Sequence, residues 1–244
     1  MGWLPWEGIF HGFQPIEEQT AMSSITIPFY FDFISPYAYL AWTQIHTVAK
    51  RVNATVEPIP ILFAALLDAH GQKGPAEVPP KRIYLFKDIF RRAHRLGVPF
   101  TAPPTHPFNP LLALRVATVP QAIETRQRLI DGLFRAAWGR GIEIETPGSV
   151  AEVIKESGLD PKPILDAAAS AEIKALLRQQ TDAALAAGVF GVPTMIVNNE
   201  LFWGADALEP MEAFLKGDDP LQHAGAEGLA RWLRIMPSAS RRQG

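Results

Sequence analysis

Residues 25–38 read ITIPFYFDFISPYA, and this stretch decides the fold. Ile25–Phe33 is rich in aromatic and β-branched residues, which is typical of a buried strand. Ser35 is a preferred N-cap residue, and Pro36 suits the first position of a helix, where no backbone N–H is needed. Thr55–Leu62 is again typical of a strand. A strand, a helix and a strand in close succession predict a right-handed, parallel βαβ unit.

The middle of the chain predicts a block of helices. An apolar stripe at helical spacing runs from Ile83 to Leu96, and we expect it to pack in the core. An Ala-rich helix is predicted over residues 171–187. Pairs of a capping residue and a proline mark three further helix starts, at Asn109-Pro110, Thr146-Pro147 and Asp160-Pro161. Many of the 22 prolines therefore start helices, and their number does not indicate disorder.

The pattern changes again after Gly188. Thr194–Val197 predicts a strand, a turn follows at 198–200, and Leu201–Trp203 predicts a second strand before a helix that begins near Leu208. The order is βαβ, then helices, then ββα. It predicts one α/β domain over residues 25–216, with an all-helical insertion at about 63–187.

The two ends of the chain lie outside this pattern. We expect residues 1–24 to be a disordered N-terminal extension, or alternatively a surface arm that uses Trp3, Trp6 and Phe10. Residues 217–244 are predicted to be a tail with one helix at Leu221–Met236. The first residues lack the features of a secretory signal, and no apolar run reaches the ~20 residues that span a bilayer, so we expect a cytoplasmic protein.

Composition excludes several kinds of chemistry. The formal net charge is −2, which argues against nucleic-acid binding through clustered Lys and Arg. The chain has no Cys, so any thiol chemistry must come from a ligand. The six His residues do not cluster in the sequence, so no metal site is expected. No Gly-rich phosphate loop supports nucleotide binding.

Two places in the sequence carry a more specific prediction. The Val192-Pro193 peptide opens a late strand, where we expect a cis bond and a Val192 backbone free to pair with an extended ligand. The N-terminus of the helix at Pro36 is suited to face an anion. Ser35 is equally well explained as a purely structural cap.

The chain resembles the 2-hydroxychromene-2-carboxylate isomerase family, which is related to kappa-class glutathione transferases and DsbA-type oxidoreductases. The resemblance runs from about Ile25 to Lys216. It is carried by FYFDFISPYAYLAW (29–42), PPTHPFNPLLALR (103–115), GVFGVPTMIV (188–197) and LFWGADALEPMEAFL (201–215). It implies a thioredoxin-like domain with a helical insertion, usually dimeric, that binds glutathione.

The resemblance also implies roles for individual residues. Ser35 stands where redox relatives carry a Cys, and it would serve the thiol of bound glutathione rather than attack substrate. Val192 would offer its backbone to the cysteinyl part of glutathione, with Pro193 fixing the geometry. The γ-glutamyl end would be held by Trp203, Gly204, Ala205 and Asp206. Related transferases often carry Ser-Asp where this chain has Ala205-Asp206, so its affinity for glutathione is expected to be lower.

Four further residues each have two possible interpretations, one functional and one structural. Lys81 would meet the tripeptide, or it is a charge on a helix surface. Asn109 resembles a substrate-contacting Asn, yet it is also a good N-cap. Phe33 and Tyr37, together with Trp203, would wall an aromatic slot for substrate, or they pack in the interior.

Three activities are compatible with these residues. The first is a glutathione-dependent isomerase of aromatic catabolism, in which the thiolate adds reversibly to an unsaturated carbon. The second is a kappa-type glutathione transferase, which consumes the thiol. The third is a non-catalytic binder of glutathione or a peptide.

Overall fold

The computed structural model describes residues 25–223, 230–231 and 234–235. It contains a four-stranded sheet in the order β2-β1-β3-β4, with β1 parallel to β2 and the other neighbours antiparallel. The strands are β1 (Ile25–Phe31), β2 (Ala54–Pro60), β3 (Thr194–Val197) and β4 (Glu200–Trp203). The predicted thioredoxin-like α/β fold, βαβ…ββα, is confirmed. Within the described residues no helix is long and apolar enough to cross a membrane.

The helices follow the predicted order. Helix α1 (Pro36–Arg51) connects β1 to β2, and α9 (Leu208–Lys216) follows β4. The insertion contains α2 (Phe63–Ala69), α3 (Pro79–Leu96), α4 (Leu111–Thr118), α5 (Ile123–Phe134), α6 (Pro147–Glu156), α7 (Pro161–Ala169) and α8 (Ala171–Ala186). The sequence analysis missed α2. After the short α10 (Pro220–His223), most of the predicted C-terminal helix, like the predicted extension at 1–24, lies outside the described residues.

The sheet is covered on both faces. Ile27, Phe29 and Phe31 alternate along β1 and are fully buried on one face, as the period of a strand requires. Phe31 lies 6.1 Å from Trp42 of α1 and 5.4 Å from Phe134 of α5, measured between ring centroids. A smaller apolar cluster covers the other face of the sheet and consists of Ile61, Leu66, Ala184, Val189 and Val192.

A tight hairpin places the end of β4. Asn198 and Asn199 both have positive φ, of 50° and 65°, and they connect β3 to β4. Two such residues are typical of the type I′ turn that matches the twist of paired strands. Thr194 therefore pairs with Trp203, which brings Trp203 beside the start of β3.

Helix α3 departs from the sequence analysis. Ile89 and Ala93 are buried as expected, and so is Leu85, but Phe90 and Ile83 of the predicted stripe are 62% and 59% exposed. The buried residues recur every fourth position, so α3 contacts the rest of the protein along one narrow line. The prediction that the whole stripe packs in the core was wrong.

One indole supports the loop after β1. Helix α5 continues as a π-helical turn at Arg135–Gly139, which contains the fully buried Trp138. Its Nε1 donates a hydrogen bond of 2.7 Å to the carbonyl oxygen of Phe33. The turn that precedes α1 is thus held by the helical insertion as well as by the sheet.

Replacing Trp138 tests this support. Trp138→Phe removes the donor, leaves the buried Phe33 carbonyl without its partner and opens a small void. We expect the free energy of unfolding to fall by about 2–4 kcal/mol in urea titrations monitored by circular dichroism. The control is Trp203→Phe, because Trp203 is 54% exposed and its replacement should change stability by about 0.5 kcal/mol or less. Equal losses for the two variants would contradict the assigned role of the Trp138 hydrogen bond.

Candidate functional site

Ser35 joins two distant parts of the chain. As the N-cap of α1, its Oγ accepts a hydrogen bond from the Ala38 N–H at 3.2 Å. The same hydroxyl donates to the Val192 carbonyl oxygen at 3.3 Å, and Ser35 is 8% exposed. The first helix start and the late X-Pro loop, 157 positions apart, therefore meet at one hydroxyl group.

The loop before β3 has the predicted cis peptide, between Val192 and Pro193. The expectation that the Val192 backbone is free was wrong for its carbonyl, because the Ser35 hydroxyl occupies it. The physical reason is that both groups are nearly buried, so the Ser35 O–H and the Val192 carbonyl each provide the other with a hydrogen-bond partner. On the other side of the peptide, the Pro193 carbonyl accepts from Gly204 N–H at 2.9 Å, which ties this loop to the end of β4.

A cavity of about 750 Å³ opens in front of Ser35. Its size lies within the ~300–1,000 Å³ typical of small-molecule sites. The predicted site residues that line it are Ser35, Tyr37, Lys81, Asn109, Val192 and Trp203. They come from α1, α3, the loop before α4 and the two ends of the β3–β4 hairpin, so the fold brings most of the predicted site together.

Phe33 does not line the predicted aromatic slot, so this part of the prediction was wrong. It is fully buried, and its ring packs 4.7 Å from Phe134 and 5.2 Å from Phe31. Phe33 has the same two-residue spacing as the buried Ile27, Phe29 and Phe31, and its side chain packs in the core while its carbonyl accepts from Trp138 Nε1. Of its two readings, interior packing is the one that the structure shows.

Tyr37 and Trp203 do line the cavity. The Tyr37 hydroxyl donates to Asp88 Oδ2 at 2.9 Å, and the Arg92 guanidinium lies 5.8 Å from its ring centroid. Burial and the adjacent Asp88 carboxylate raise the pKa of Tyr37, so its hydroxyl stays protonated and committed to Asp88. Tyr37 therefore offers the cavity an aromatic surface rather than an acid.

The residues after Trp203 lie beside the main cavity rather than on its wall. Ala205 and Asp206 line a neighbouring cleft of about 280 Å³, together with Arg92. The Asp206 carboxylate is 4.0 Å from an Arg92 nitrogen and is 73% exposed. Gly204 has a φ of +104°, and a Cβ there would lie 2.6 Å from Asp206 Oδ1, so this approach of the carboxylate requires glycine.

Asn109 has a local hydrogen-bonding role, but it is not the N-cap that the sequence indicated as its alternative, because Pro110 occupies the N-cap of α4. Its Oδ1 accepts from the Leu111 N–H at 3.0 Å, at the start of α4. Its own backbone N–H donates to Glu145 at 3.0 Å. Asn109 nevertheless lines the cavity, as does the exposed Lys81 in the first turn of α3.

Several cavity residues were not found from the sequence. Asp32, His106 and the segment 72–77 before α3 also line the cavity. Asp32 had a signal, because it is the one charged residue in an otherwise apolar and aromatic run. Only the prolines around His106 marked it in the sequence as a possible site residue. No feature of the sequence marked residues 72–77 as part of a site. In the described part of the chain, no three His, Asp or Glu side chains are grouped to hold a metal ion.

Asp32 connects the two loops that form the floor of the cavity. Its carboxylate oxygens accept from the Ile34 N–H and the Phe63 N–H, each at 3.0 Å. The side chain is 1% exposed, and burial raises its pKa to about 7, against the lowering effect of the two N–H donors. The loop that carries Ser35 and the start of α2 are thus held by one buried carboxyl group.

The amino-acid sequence is similar to a known family model and to known proteins. The family model for the DSBA-like thioredoxin domain matches residues 26–216. A 2-hydroxychromene-2-carboxylate isomerase of Sphingobium xenophagum is 30% identical over 192 residues, which cover 78% of this chain and 97% of that protein. Glutathione S-transferase kappa 2 of Caenorhabditis elegans is 29% identical over 206 residues, covering 78% of this chain and 91% of the relative.

A solved structure shows that the fold is similar as well. The structure of a 2-hydroxychromene-2-carboxylate isomerase superposes with a TM-score of 0.74 at 28% identity. The match covers 79% of this chain and 95% of that one. The similarity therefore extends over the sheet and the helical insertion together.

The raised pKa of Asp32 predicts a pH dependence of stability. The folded protein holds the Asp32 proton up to about pH 7, whereas the unfolded chain releases it near pH 4. The folded state therefore binds more protons between these values, and the contribution of Asp32 to stability falls as the pH rises from about 4 to about 7. Asp32→Asn should flatten this part of the profile of unfolding free energy against pH, measured by urea titration. Asp68→Asn is the control on an exposed carboxyl group. A profile of the Asp32 variant parallel to that of the wild type would contradict the assignment.

Proposed function

The chain belongs to the family of DSBA-like thioredoxin domains, and from this membership we propose that it is a glutathione-dependent cis–trans isomerase of a 2-hydroxychromene-2-carboxylate type substrate. The observation that carries the proposal is the Ser35 hydroxyl, placed at the start of α1 and 3.3 Å from the Val192 carbonyl in a ligand-sized cavity. The chain has no Cys, so its own side chains supply no thiol to this site. Bound glutathione would supply the sulfur.

Ser35 would act by changing its hydrogen-bond partner. In our proposal the cysteinyl N–H of glutathione donates to the Val192 carbonyl, as an added strand does. The Ser35 hydroxyl is then released to donate to the glutathione sulfur, while its Oγ still accepts from Ala38. A hydroxyl donor and the positive end of α1 both favour thiolate over thiol, whose pKa is normally about 8.5.

The remaining predicted residues differ in how well their positions suit contact with bound glutathione. Trp203 and Lys81 line the same cavity and are proposed to contact the tripeptide. Asp206 is close to the end of β4 but lies in the neighbouring cleft beside Arg92, which competes for its carboxylate. We propose that Asp206 still meets the γ-glutamyl ammonium at the edge of the site, with Gly204 and Ala205 contributing backbone.

The proposed reaction leaves glutathione unchanged. The thiolate adds to an unsaturated carbon conjugated with an α-keto acid, and the electron pair of the double bond moves to the keto oxygen. The former double bond rotates as a single bond. Elimination of the thiolate then restores the double bond in the other configuration. We also propose a homodimer that acts in the cytoplasm, where glutathione is kept reduced.

A kappa-type glutathione transferase is the second candidate. It is favoured by the kappa-class relative, whose identity of 29% is close to that of the isomerase. The transferase would use the same thiolate but would release a conjugate. A glutathione or peptide binder without catalytic activity remains the third candidate.

The role of Ser35 predicts a shift in the titration of the bound thiol. Ser35→Ala removes the hydroxyl donor, so the pKa of bound glutathione should rise by about one unit, since a hydrogen bond to a charged group contributes about 1.5–3 kcal/mol. The measurement is the ultraviolet absorbance of the thiolate against pH. Ser170→Ala is the matched control, because Ser170 also caps a helix, with a 3.2 Å bond from Ile173 N–H, but does not line the cavity. An unchanged titration in Ser35→Ala would contradict the role.

Product analysis separates the three candidate activities. With 2-hydroxychromene-2-carboxylate as substrate and glutathione present, we expect isomerised product and full recovery of free glutathione. Stoichiometric loss of glutathione into a conjugate would favour the transferase. Binding of glutathione without turnover and without a lowered thiol pKa would favour the binder. A rate in the absence of glutathione equal to that in its presence would refute glutathione dependence.

A further inference from the structure

His106 lies in the cavity with Ser35, yet the sequence and the proposed mechanism give it no role. It belongs to the segment between α3 and α4, and aromatic rings fix its orientation. The ring centroids of Trp138, Phe86 and Phe108 lie 5.2, 5.5 and 6.1 Å from that of His106. Because Trp138 also holds the Phe33 carbonyl, the imidazole is tied to the loop that leads to Ser35.

The two nitrogens of this imidazole are in different surroundings. Nδ1 is buried without a hydrogen-bond partner among the described residues, whereas Nε2 is not enclosed in this way. Buried N–H groups without a partner are rarer in proteins than acceptors without one. We therefore assign the proton to Nε2, and because His106 lines the cavity, Nε2–H is the donor that this residue can offer to a ligand there.

The imidazole is neutral at physiological pH. Burial, together with the positive charge of Arg82 on α3, lowers the pKa of His106 to about 4. The other groups packed against the ring are the aromatic side chains of α3, of the segment before α4 and of the π-helical turn. A neutral imidazole donates a hydrogen bond without giving up its proton, which suits a group that must stabilise a transient negative charge.

We propose that His106 is a catalytic residue of the substrate subsite, where its Nε2–H donates a hydrogen bond to the carbonyl oxygen of an aryl-conjugated α-keto acid. This inference rests on the proposed function. When the thiolate sulfur forms its bond to the unsaturated carbon, the carbon–carbon π bond breaks and its electron pair becomes an enolate on that oxygen. The hydrogen bond to Nε2–H strengthens as the charge develops. Return of the electron pair expels the thiolate, and no proton, oxidant or co-reactant is consumed.

The subsite has the composition that such a substrate needs. Leu85 and Phe108 line the cavity and are nearly buried, so they offer apolar surface to an aryl ring. Lys73 also lines the cavity and supplies the positive charge that the substrate carboxylate requires, while Lys81 remains with the tripeptide. An aromatic α-keto acid matches both halves of this lining.

Steady-state kinetics with two substitutions test the proposal. His106→Phe keeps an aromatic ring but removes the donor, and kcat should fall by about 100-fold, as for the loss of one donor to a developing oxyanion. Binding of glutathione should change little. His106→Gln keeps a side-chain N–H, and it should recover most of the loss. His46→Phe is the matched control, because His46 is also a half-buried imidazole, 4.6 Å from the Trp42 ring centroid, and it does not line the cavity. Its kcat should equal that of the wild type.

Nitrogen NMR gives a readout that does not depend on turnover. In the wild type saturated with glutathione, the ¹⁵N resonances of His106 should show the Nε2–H tautomer. Added benzylidenepyruvate should shift Nε2 and leave Nδ1 nearly unchanged. The carbonyl stretch of the bound ligand should move to lower wavenumber in the wild type but not in His106→Phe. A role that is only structural would produce neither change.

The two proposals fail in distinguishable ways. If the wild type isomerises its substrate and His106→Phe does so at the same rate, the inference about His106 is overturned and the proposed function stands. If the wild type shows no isomerisation, the proposed function fails, and the NMR titration alone decides whether His106 binds a carbonyl ligand. An Nε2 resonance unaffected by millimolar benzylidenepyruvate would overturn the inference in either case.

Discussion

The Ser35 hydroxyl is the point on which the site depends. It accepts from the first turn of α1 and donates to the Val192 carbonyl, so it satisfies a helix terminus and a buried loop at once. Neither partner belongs to the same local structure as the other. The hydroxyl is therefore a structural cap that also faces the cavity, where the proposed ligand would compete for the Val192 carbonyl. The two readings of Ser35 are compatible, because they use different hydrogen-bonding positions of one oxygen.

The helical insertion supplies more than a cover for the sheet. Trp138 donates a hydrogen bond to the Phe33 carbonyl, and the ring of the cavity residue His106 packs against the same indole. The sheet alone would leave this loop with no such support. The position of Ser35 is thus set by contacts with the insertion as well as by the strand that leads to it.

The polar groups of the cavity differ in their protonation because their surroundings differ. Asp32 is fully buried and His106 is partly buried, and burial holds each closer to its neutral form. Lys73 and Lys81 lie at exposed positions of the wall. Burial therefore reduces the charge of the groups in the interior, whereas the exposed part of the wall carries Lys73, Lys81 and Glu77. This distribution suits a ligand with an apolar body and carboxylate ends.

The sequence by itself determined most of the elements and their order, although it did not reveal α2. The aromatic strand ending near Ser35, the Ser-Pro helix start and the Asn-Asn turn depend on local backbone preferences, which adjacent residues encode. The cis Val192-Pro193 peptide was expected from its place in the predicted βαβ…ββα order, because X-Pro bonds by themselves are mostly trans. Long-range packing decided the rest. Nothing local distinguishes Phe33 in the core from Tyr37 on the cavity wall, or predicts that Phe90 of α3 faces solvent. The same holds for the bond between the Ser35 hydroxyl and the Val192 carbonyl and for the contact of His106 with Trp138. Which side chain is buried depends on elements that are distant in sequence, and only the folded chain brings them together.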